Sequence, residues 1–239
     1  MQQPVQHQMM GYDRTSTMFS PDGRLLQVEY AKKAVKQGTA AMGIVCKDGV
    51  ILVADRRLID KNIVPESVEK IYQVDDHIGA TATGYLMDGR ILIEKAQLLS
   101  QQHIVTYDNV MDTKSLVKEI CNIKQAFTQY GGARPFGISI LFAGVDDGEP
   151  VLFETEPTGM FFQYKATAIG EGDTEIKKIF EKEYHEKMDI EEGFRLAVKA
   201  LKKILEKDFD LKRMDGAYIK SSDGKFTRID SNFLKKVIK

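Results

Sequence analysis

The side chains that most often ligate metals are scattered along this sequence. Its four histidines and two cysteines show no spacing typical of a metal site. These residues are His7, His77, His103, His185, Cys46 and Cys121. The cysteines stand far apart in apolar patterns, which favours two buried thiols over a disulfide. The sequence therefore predicts no metal site, and it gives no sign of a cofactor.

A glycine-rich stretch at Gly170-Glu171-Gly172 could in principle bind a phosphate, because it precedes a predicted helix. A third glycine is missing, since Glu175 stands in its place, and the Gly-Lys-Ser/Thr ending of a phosphate loop is absent. We interpret this stretch as the turn into the helix.

The stretch from Tyr12 to Ala31 predicts a turn followed by a helix. Ser20 can cap the helix, Pro21 suits its first position, and Gly38 is expected to end it, which gives a helix over 20–37. Because this helix precedes the first predicted strand, we expect a partner protomer to cover its apolar face. The residues of that face are Leu25, Leu26, Val28, Tyr30, Ala31 and Ala34.

The same stretch resembles the N-terminal motif of proteasome alpha subunits, the non-catalytic ring-forming subunits of the 20S core. The match runs almost unbroken from Tyr12 to Ala31, and further matching segments follow in order along nearly the whole chain. These segments are 54–57, 67–71, 129–137 and 164–170. The sparse cysteines and the lack of an acidic C-terminal tail favour the archaeal type.

The resemblance implies a non-catalytic subunit of the outer proteasome ring. Its expected partners are other alpha subunits in a homo-heptameric ring, proteasome beta subunits, a regulatory ATPase that docks through its C-terminal tails, and unfolded polypeptide in transit. The implied role is to gate access to the proteolytic chamber during ATP-dependent protein degradation. The expected location is the cytoplasm.

The resemblance also implies a gate. Residues 1–11 have little to bury and are expected to be mobile, and in alpha subunits this segment obstructs the axial pore. Tyr12, Asp13, Pro21 and Tyr30 match a cluster that holds the reverse turn in the open-pore state. Taken singly, each of these residues also has an ordinary interpretation as a turn or partly buried residue.

A second set of residues maps by resemblance to a pocket between neighbouring alpha subunits. There Lys70 is expected to pair with the C-terminal carboxylate of an activator tail that ends in hydrophobic-Tyr-any residue. Gly38 and Tyr85 map to the same activator-docking pocket. A lysine at the start of a strand is otherwise most often simply solvated.

One catalytic alternative competes with this interpretation. The segment Gly38–Ile44 resembles the start of a mature beta subunit, with Asp55 and Lys70 near its carboxylate and lysine positions, so Thr39 could be a self-processed threonine nucleophile. That chemistry needs a free α-amine as the base, and 38 residues precede Thr39, so its nitrogen is an amide. A free-standing amidohydrolase would need Cys, Ser or Thr after the initiator Met, where Gln2 stands. We therefore predict no catalytic residue.

The elements that must position these residues are two runs of strands, each followed by a pair of helices. Turns containing Asp-Gly join several strands into hairpins, which favours antiparallel sheets over a parallel βαβ fold. The predicted strands are 39–46, 50–54, 70–74, 78–83, 136–142, 151–153, 160–163, 165–169, 215–220 and 226–230, and the predicted helices are 84–103, 112–128, 173–185 and 190–207, with a short basic helix at the end. We expect a single domain over 1–239, an α+β four-layer αββα sandwich of two stacked sheets. The resemblance implies the same N-terminal-nucleophile hydrolase fold.

The composition excludes several classes of protein. Hydrophobic residues make up 43% and charged residues 29% of 239 residues, as in ordinary globular proteins. The net charge of −1 gives no electrostatic reason to bind nucleic acid or an anionic membrane. No apolar run reaches the length of a membrane span. We therefore expect neither nucleic acid nor membrane as a partner.

Overall fold

The structure, a computed structural model, describes residues 10–57, 62–64, 67–230 and 233. Most of the predicted gate tail, residues 1–9, lies outside this part of the chain. The predicted basic helix at the C-terminus also lies outside it, apart from Phe233.

The first sheet has five antiparallel strands in the order β10-β9-β2-β1-β8. Its strands are β1 (Ala41–Cys46), β2 (Gly49–Asp55), β8 (Ala166–Ile169), β9 (Met214–Lys220) and β10 (Phe226–Arg228). The predicted hairpin turn between β1 and β2 is confirmed, because Cys46 pairs directly with Gly49. Strand β2 is buried along its whole length.

The second sheet also has five antiparallel strands, and they follow the chain order from β3 to β7. They are β3 (Ile71–Asp75), β4 (Ile78–Gly84), β5 (Ile138–Asp146), β6 (Glu149–Thr155) and β7 (Phe161–Gln163). Asp147 (φ 51°) and Gly148 (φ 85°) form the turn between β5 and β6. Two successive residues with positive φ are what a tight two-residue hairpin requires, and the Asp-Gly pair supplies them.

Five α-helices lie in the described part of the chain: α1 (Leu26–Gln37), α2 (Leu86–Tyr107), α3 (Thr113–Gln129), α4 (Asp173–Glu183) and α5 (Ile190–Leu205). Helices α4 and α5 pack on the outer face of the first sheet, and α2 and α3 pack on that of the second. A third apolar cluster fills the space between the sheets, with Leu52, Leu141 and Leu152 among its members. The predicted four-layer αββα sandwich is confirmed.

The predicted start of the N-terminal helix is wrong, because α1 begins at Leu26 and not at Ser20. Gly23 has a φ of 73°, which a right-handed helix does not allow, and its N–H donates to the Ser20 carbonyl at 2.8 Å. The Ser20 hydroxyl accepts from the Arg24 N–H at 3.2 Å. Residues 20–24 therefore form a turn that leads into the helix, whose predicted end at Gln37 is correct.

The chain itself covers the inner side of α1. Val28, Ala31 and Val35 are buried, and the helix contacts β4 and β5. The expectation that a partner protomer must cover this apolar face is therefore wrong for its buried stripe. Leu26 and Tyr30, which lie beside that stripe, remain half-buried.

Candidate functional site

The first described feature is a reverse turn from Gly11 to Arg14. The Arg14 N–H donates to the Gly11 carbonyl at 3.1 Å, and Gly11 has a φ of 78° that glycine adopts without strain. Tyr12 and Asp13, two of the predicted gate residues, occupy the middle of this turn and are half-buried. The turn therefore brings Asp13 next to α1.

Helix α1 holds Asp13 at two points. The Tyr30 hydroxyl donates to Asp13 Oδ2 at 3.2 Å, and Gln27 Nε2 donates to the Asp13 carbonyl oxygen at 2.6 Å. Gln27 and Tyr30 are three residues apart, so they lie on one face of the helix. The structure thus brings together two of the predicted gate residues, Asp13 and Tyr30. It adds Gln27, which was not predicted from the sequence although its helical spacing from Tyr30 could have indicated it.

The fourth predicted gate residue, Pro21, is exposed in the turn at residues 20–24 that precedes α1. This position differs from the predicted one in the first turn of the helix. Phe19 and Leu25 bridge the base of the turn as a pair of antiparallel residues. Pro21 therefore stands at the tip of a small hairpin beside the helix start.

Lys70 is buried, not solvated, with 3% of its surface exposed in the single chain. Its Nζ donates to the Ala82 carbonyl at 2.9 Å. Burial lowers the pKa of its ammonium to about 8, while the carboxylates of Asp55 and Asp215 act in the opposite direction. An amine with this pKa is still mostly charged at pH 7.

The other two predicted docking residues lie at the same end of β4. A Cβ atom on Gly38 would come within 2.5 Å of the Gly84 nitrogen and the Thr83 hydroxyl, so only glycine fits there. Tyr85 follows Gly84 directly, and its side chain is 55% exposed. Together with the contact between Lys70 and Ala82, this places all three predicted docking residues around residues 82–85.

A bidentate ion pair lies beside Tyr85. Arg134 donates to both carboxylate oxygens of Asp88 at 2.6 Å, and its guanidinium lies 5.8 Å from the centre of the Tyr85 ring. The Tyr85 N–H donates to the Gly137 carbonyl at 2.9 Å. The backbone of the exposed tyrosine is therefore anchored to Gly137 at the start of α2.

Thr39 lies between α1 and β1 as an ordinary chain residue. Its carbonyl accepts from the Thr83 hydroxyl at 2.6 Å. Its nitrogen belongs to the peptide bond with Gly38, so it lacks the basicity that an N-terminal threonine nucleophile needs.

The carboxylate of Asp55 already has a hydrogen-bonding partner within the chain. It is 1% exposed, and Arg213 donates to its two oxygens, from Nε at 2.9 Å and from Nη2 at 2.7 Å. These hydrogen bonds raise the pKa of the Arg213 guanidinium. Asp55 therefore ties β2 to the short turn before β9. The role of Arg213 was not predicted from the sequence, because 158 residues separate the partners and no local pattern joins them.

Within the described ranges, no group of three or more His, Cys, Asp or Glu side chains is arranged to hold a metal ion. None of the helices described there combines the length and the apolar character that crossing a membrane requires.

Comparison with known protein families gives two matches that together cover most of the chain. The family described as "Proteasome subunit" matches residues 35–219. The N-terminal signature of the A-type proteasome subunits matches residues 12–34, the stretch that contains the reverse turn and most of α1. The two matches meet at the end of this helix.

Curated relatives agree with these family matches. The proteasome alpha subunit of Methanocaldococcus jannaschii is 48% identical over 95% of this chain and 87% of its own length. The protein of the same name from Methanosarcina thermophila is 45% identical over 96% of this chain and 94% of its own length. That of Thermococcus sibiricus is 47% identical over 95% of this chain and 87% of its own length.

Proposed function

Since this chain belongs to the proteasome subunit family and carries its alpha-type N-terminal signature, we propose that it forms the outer ring of a proteasome core in the cytoplasm and gates the pore through that ring. In this role it packs against identical neighbours in a seven-membered ring and against a ring of beta subunits. Unfolded polypeptide passes through the pore to the proteolytic chamber.

The observation that carries the proposed gating function is the contact between the N-terminal turn and α1. Asp13 is held by Tyr30 in a hydrogen bond that spans 17 residues. This contact holds the turn at residues 11–14 against α1. We assign the arrangement to the open-pore state of the proposed gate, with Tyr12 and Pro21 completing the cluster in the ring.

The proposed subunit cleaves no peptide bond itself. Two features of the site support this: the amide nitrogen of Thr39, and the Asp55 carboxylate that Arg213 occupies. A threonine nucleophile would need a free α-amine, which Thr39 would have only in a chain that begins at residue 39. Peptide cleavage is therefore assigned to the beta subunits.

Deleting residues 2–12 tests the gate. In a core assembled with its beta partner, we expect the deletion to raise the rate of hydrolysis of a long fluorogenic peptide several-fold, because the obstructing segment is gone. A very short peptide, which a partly closed pore admits, should gain less. Sizing of the particle controls for assembly. An unchanged rate for the long peptide in an intact particle would refute the gate.

We further propose that the end of β4 docks the C-terminal tail of a regulatory ATPase. The buried Lys70 ammonium has a carbonyl as its hydrogen-bond acceptor, and a carboxylate is a stronger one. A hydrogen bond to a charged partner contributes about 1.5–3 kcal/mol. Tyr85 follows the end of the same strand, and its exposed ring offers an apolar surface. Several tails on one ring would then bind together through their effective concentration.

Lys70→Ala tests the docking site. We expect the variant to assemble and to keep its basal peptidase rate, but to lose at least about tenfold of its affinity for the ATPase ring, because the tail carboxylate loses its cationic partner. The measurement is the ATPase concentration that gives half-maximal stimulation. Lys225→Ala, at an exposed lysine in the β9–β10 turn, should behave like the unmodified protein. Normal stimulation of the Lys70 variant would place docking elsewhere.

A further inference from the structure

Gln27 makes the shorter of the two described hydrogen bonds that hold Asp13. Its Nε2 lies 2.6 Å from the Asp13 carbonyl oxygen, against 3.2 Å for the bond from the Tyr30 hydroxyl. A carbonyl oxygen can only accept, so the Gln27 amide must point its NH₂ group at the turn. The orientation of this side chain is therefore determined.

The two bonds act on different parts of Asp13. Tyr30 binds the carboxylate at the end of the side chain, and Gln27 binds the backbone. A side-chain contact alone would leave the backbone free to move, because rotation about χ1 of Asp13 lies between the carboxylate and the main chain. The bond from Gln27 removes that freedom and fixes the path of the main chain through the turn.

Gln27 is only half-buried. Its side chain lines a cavity of about 360 Å³ together with Arg14–Thr17 and Gly131–Arg134. Part of the residue thus faces open space, and the hydrogen bond to Asp13 restricts the rotamer of its side chain. The main structural contact of this side chain is therefore its hydrogen bond to the turn.

We infer that Gln27 is a positioning residue of the gate, which holds the backbone of the N-terminal turn in the open-pore arrangement. The inference rests on the proposed gating function and extends it to a residue outside the predicted cluster of Tyr12, Asp13, Pro21 and Tyr30. Without the Gln27 amide, the turn leaves α1 more often and the pore is open less often.

Three substitutions at this position separate hydrogen bonding from packing. Gln27→Ala removes the amide, Gln27→Glu keeps its size but has no donor at neutral pH, and Gln27→Lys keeps a donor of similar reach. In the assembled core, we expect Ala and Glu to lower the hydrolysis of a long peptide by about threefold or more, which corresponds to one lost hydrogen bond. Lys should stay close to the unmodified rate.

Each variant is then combined with deletion of residues 2–12. We expect all three substitutions to have no effect in that background, because the turn no longer controls a tail. The same replacements at Gln37, an exposed residue of the same helix, serve as the matched control and should leave both rates unchanged.

The outcomes separate the inference from the function on which it rests. If the deletion accelerates hydrolysis but Gln27→Ala and Gln27→Glu leave the intact-tail rate unchanged, the inference is wrong and the gate stands. If Glu behaves like the unmodified protein and only Ala is slow, Gln27 acts by packing and the inference is also wrong. If Gln27→Ala and Gln27→Glu slow hydrolysis equally with and without residues 2–12, the substitutions damage the particle in general, and the inference is wrong as well. If the deletion itself has no effect, the proposed gate fails.

Discussion

Replacing Arg213 with methionine is expected to lower the free energy of unfolding by about 3–5 kcal/mol. The change leaves the Asp55 carboxylate, which is 1% exposed, without the guanidinium that now binds both of its oxygens. A buried charge that loses its partner keeps its desolvation cost and loses the compensating attraction. The nearby Lys70 ammonium offsets part of this loss, which favours the lower end of the range.

Chemical denaturation at fixed protein concentration measures this effect. Arg195→Met is the matched control, because Arg195 is largely exposed and pairs with Glu191 one helical turn away at 3.6 Å. An exposed pair of this kind contributes about 0–1 kcal/mol. The double variant Arg213→Met with Asp55→Leu should recover much of the loss, since it removes the buried carboxylate together with its half-buried partner. If Arg213→Met costs no more than Arg195→Met, the ion pair is not a main support of the fold.

Replacing Lys124 with methionine is expected to have the opposite effect and to stabilise the protein by about 2–4 kcal/mol at pH 7. Lys124 lies on α3 with 0% of its surface exposed, and its Nζ donates to the Thr155 hydroxyl at 3.0 Å. Burial lowers the pKa of its ammonium to about 7, although Cys121, Glu156 and Glu154 act in the opposite direction. Methionine has a similar length and no charge to desolvate.

The loss of the Lys124 hydrogen bond should cost little. The Thr155 hydroxyl still donates to the Ile140 carbonyl at 3.2 Å and accepts from the Ile140 N–H at 3.3 Å. No buried polar group of this cluster is therefore left without a partner. A gain of this size should raise the melting temperature by about 5–10 °C for a chain of this length.

The stabilisation should depend on pH in a defined direction. The pKa of Lys124 is about 7 in the folded chain and about 10.4 in the unfolded one, so between these values the unfolded chain binds more protons. The penalty for lysine is thus complete below pH 7 and disappears as the pH rises toward 10.4. We expect the advantage of methionine to fall by about half between pH 7 and pH 9.

Melting curves at fixed protein concentration and several pH values provide this test. Lys118→Met, on the exposed side of the same helix, should change the melting temperature little at any pH. An advantage of Lys124→Met that stays constant from pH 7 to pH 9 would show that the buried amine carries no such penalty.

The hairpins were predictable because their turn residues act locally. The pairing of Cys46 with Gly49 and the turn at Asp147-Gly148 both follow from Asp-Gly pairs between apolar runs. The start of α1 was not predictable in this way. Ser20 and Pro21 favour a helix start, but the turn through Gly23 takes the Ser20 carbonyl and hydroxyl for its own hydrogen bonds. The preference of these residues for a helix start is therefore overridden by the hydrogen bonds of the turn.

Lys124 shows a second limit of prediction from the sequence. Its spacing from Leu116 and Ile120 places it on the buried face of α3, whereas its charge favours solvent. Lysine is rarely buried, so the sequence did not predict Lys124 as a member of the buried face, although its spacing fits that face. The hydroxyl of Thr155, which makes burial possible, lies 31 residues away on β6.

The order of strands and helices, the antiparallel sandwich and the family motif at Tyr12–Ala31 were all predictable from the sequence, because they depend on periodicity, turn chemistry and short motifs. The fold was needed to show that Arg213 binds the Asp55 carboxylate, that Gln27 binds the Asp13 carbonyl, and that Lys70 is buried against the Ala82 carbonyl. These arrangements join residues that no local rule connects, since the packing of whole sheets and helices brings them within hydrogen-bond distance.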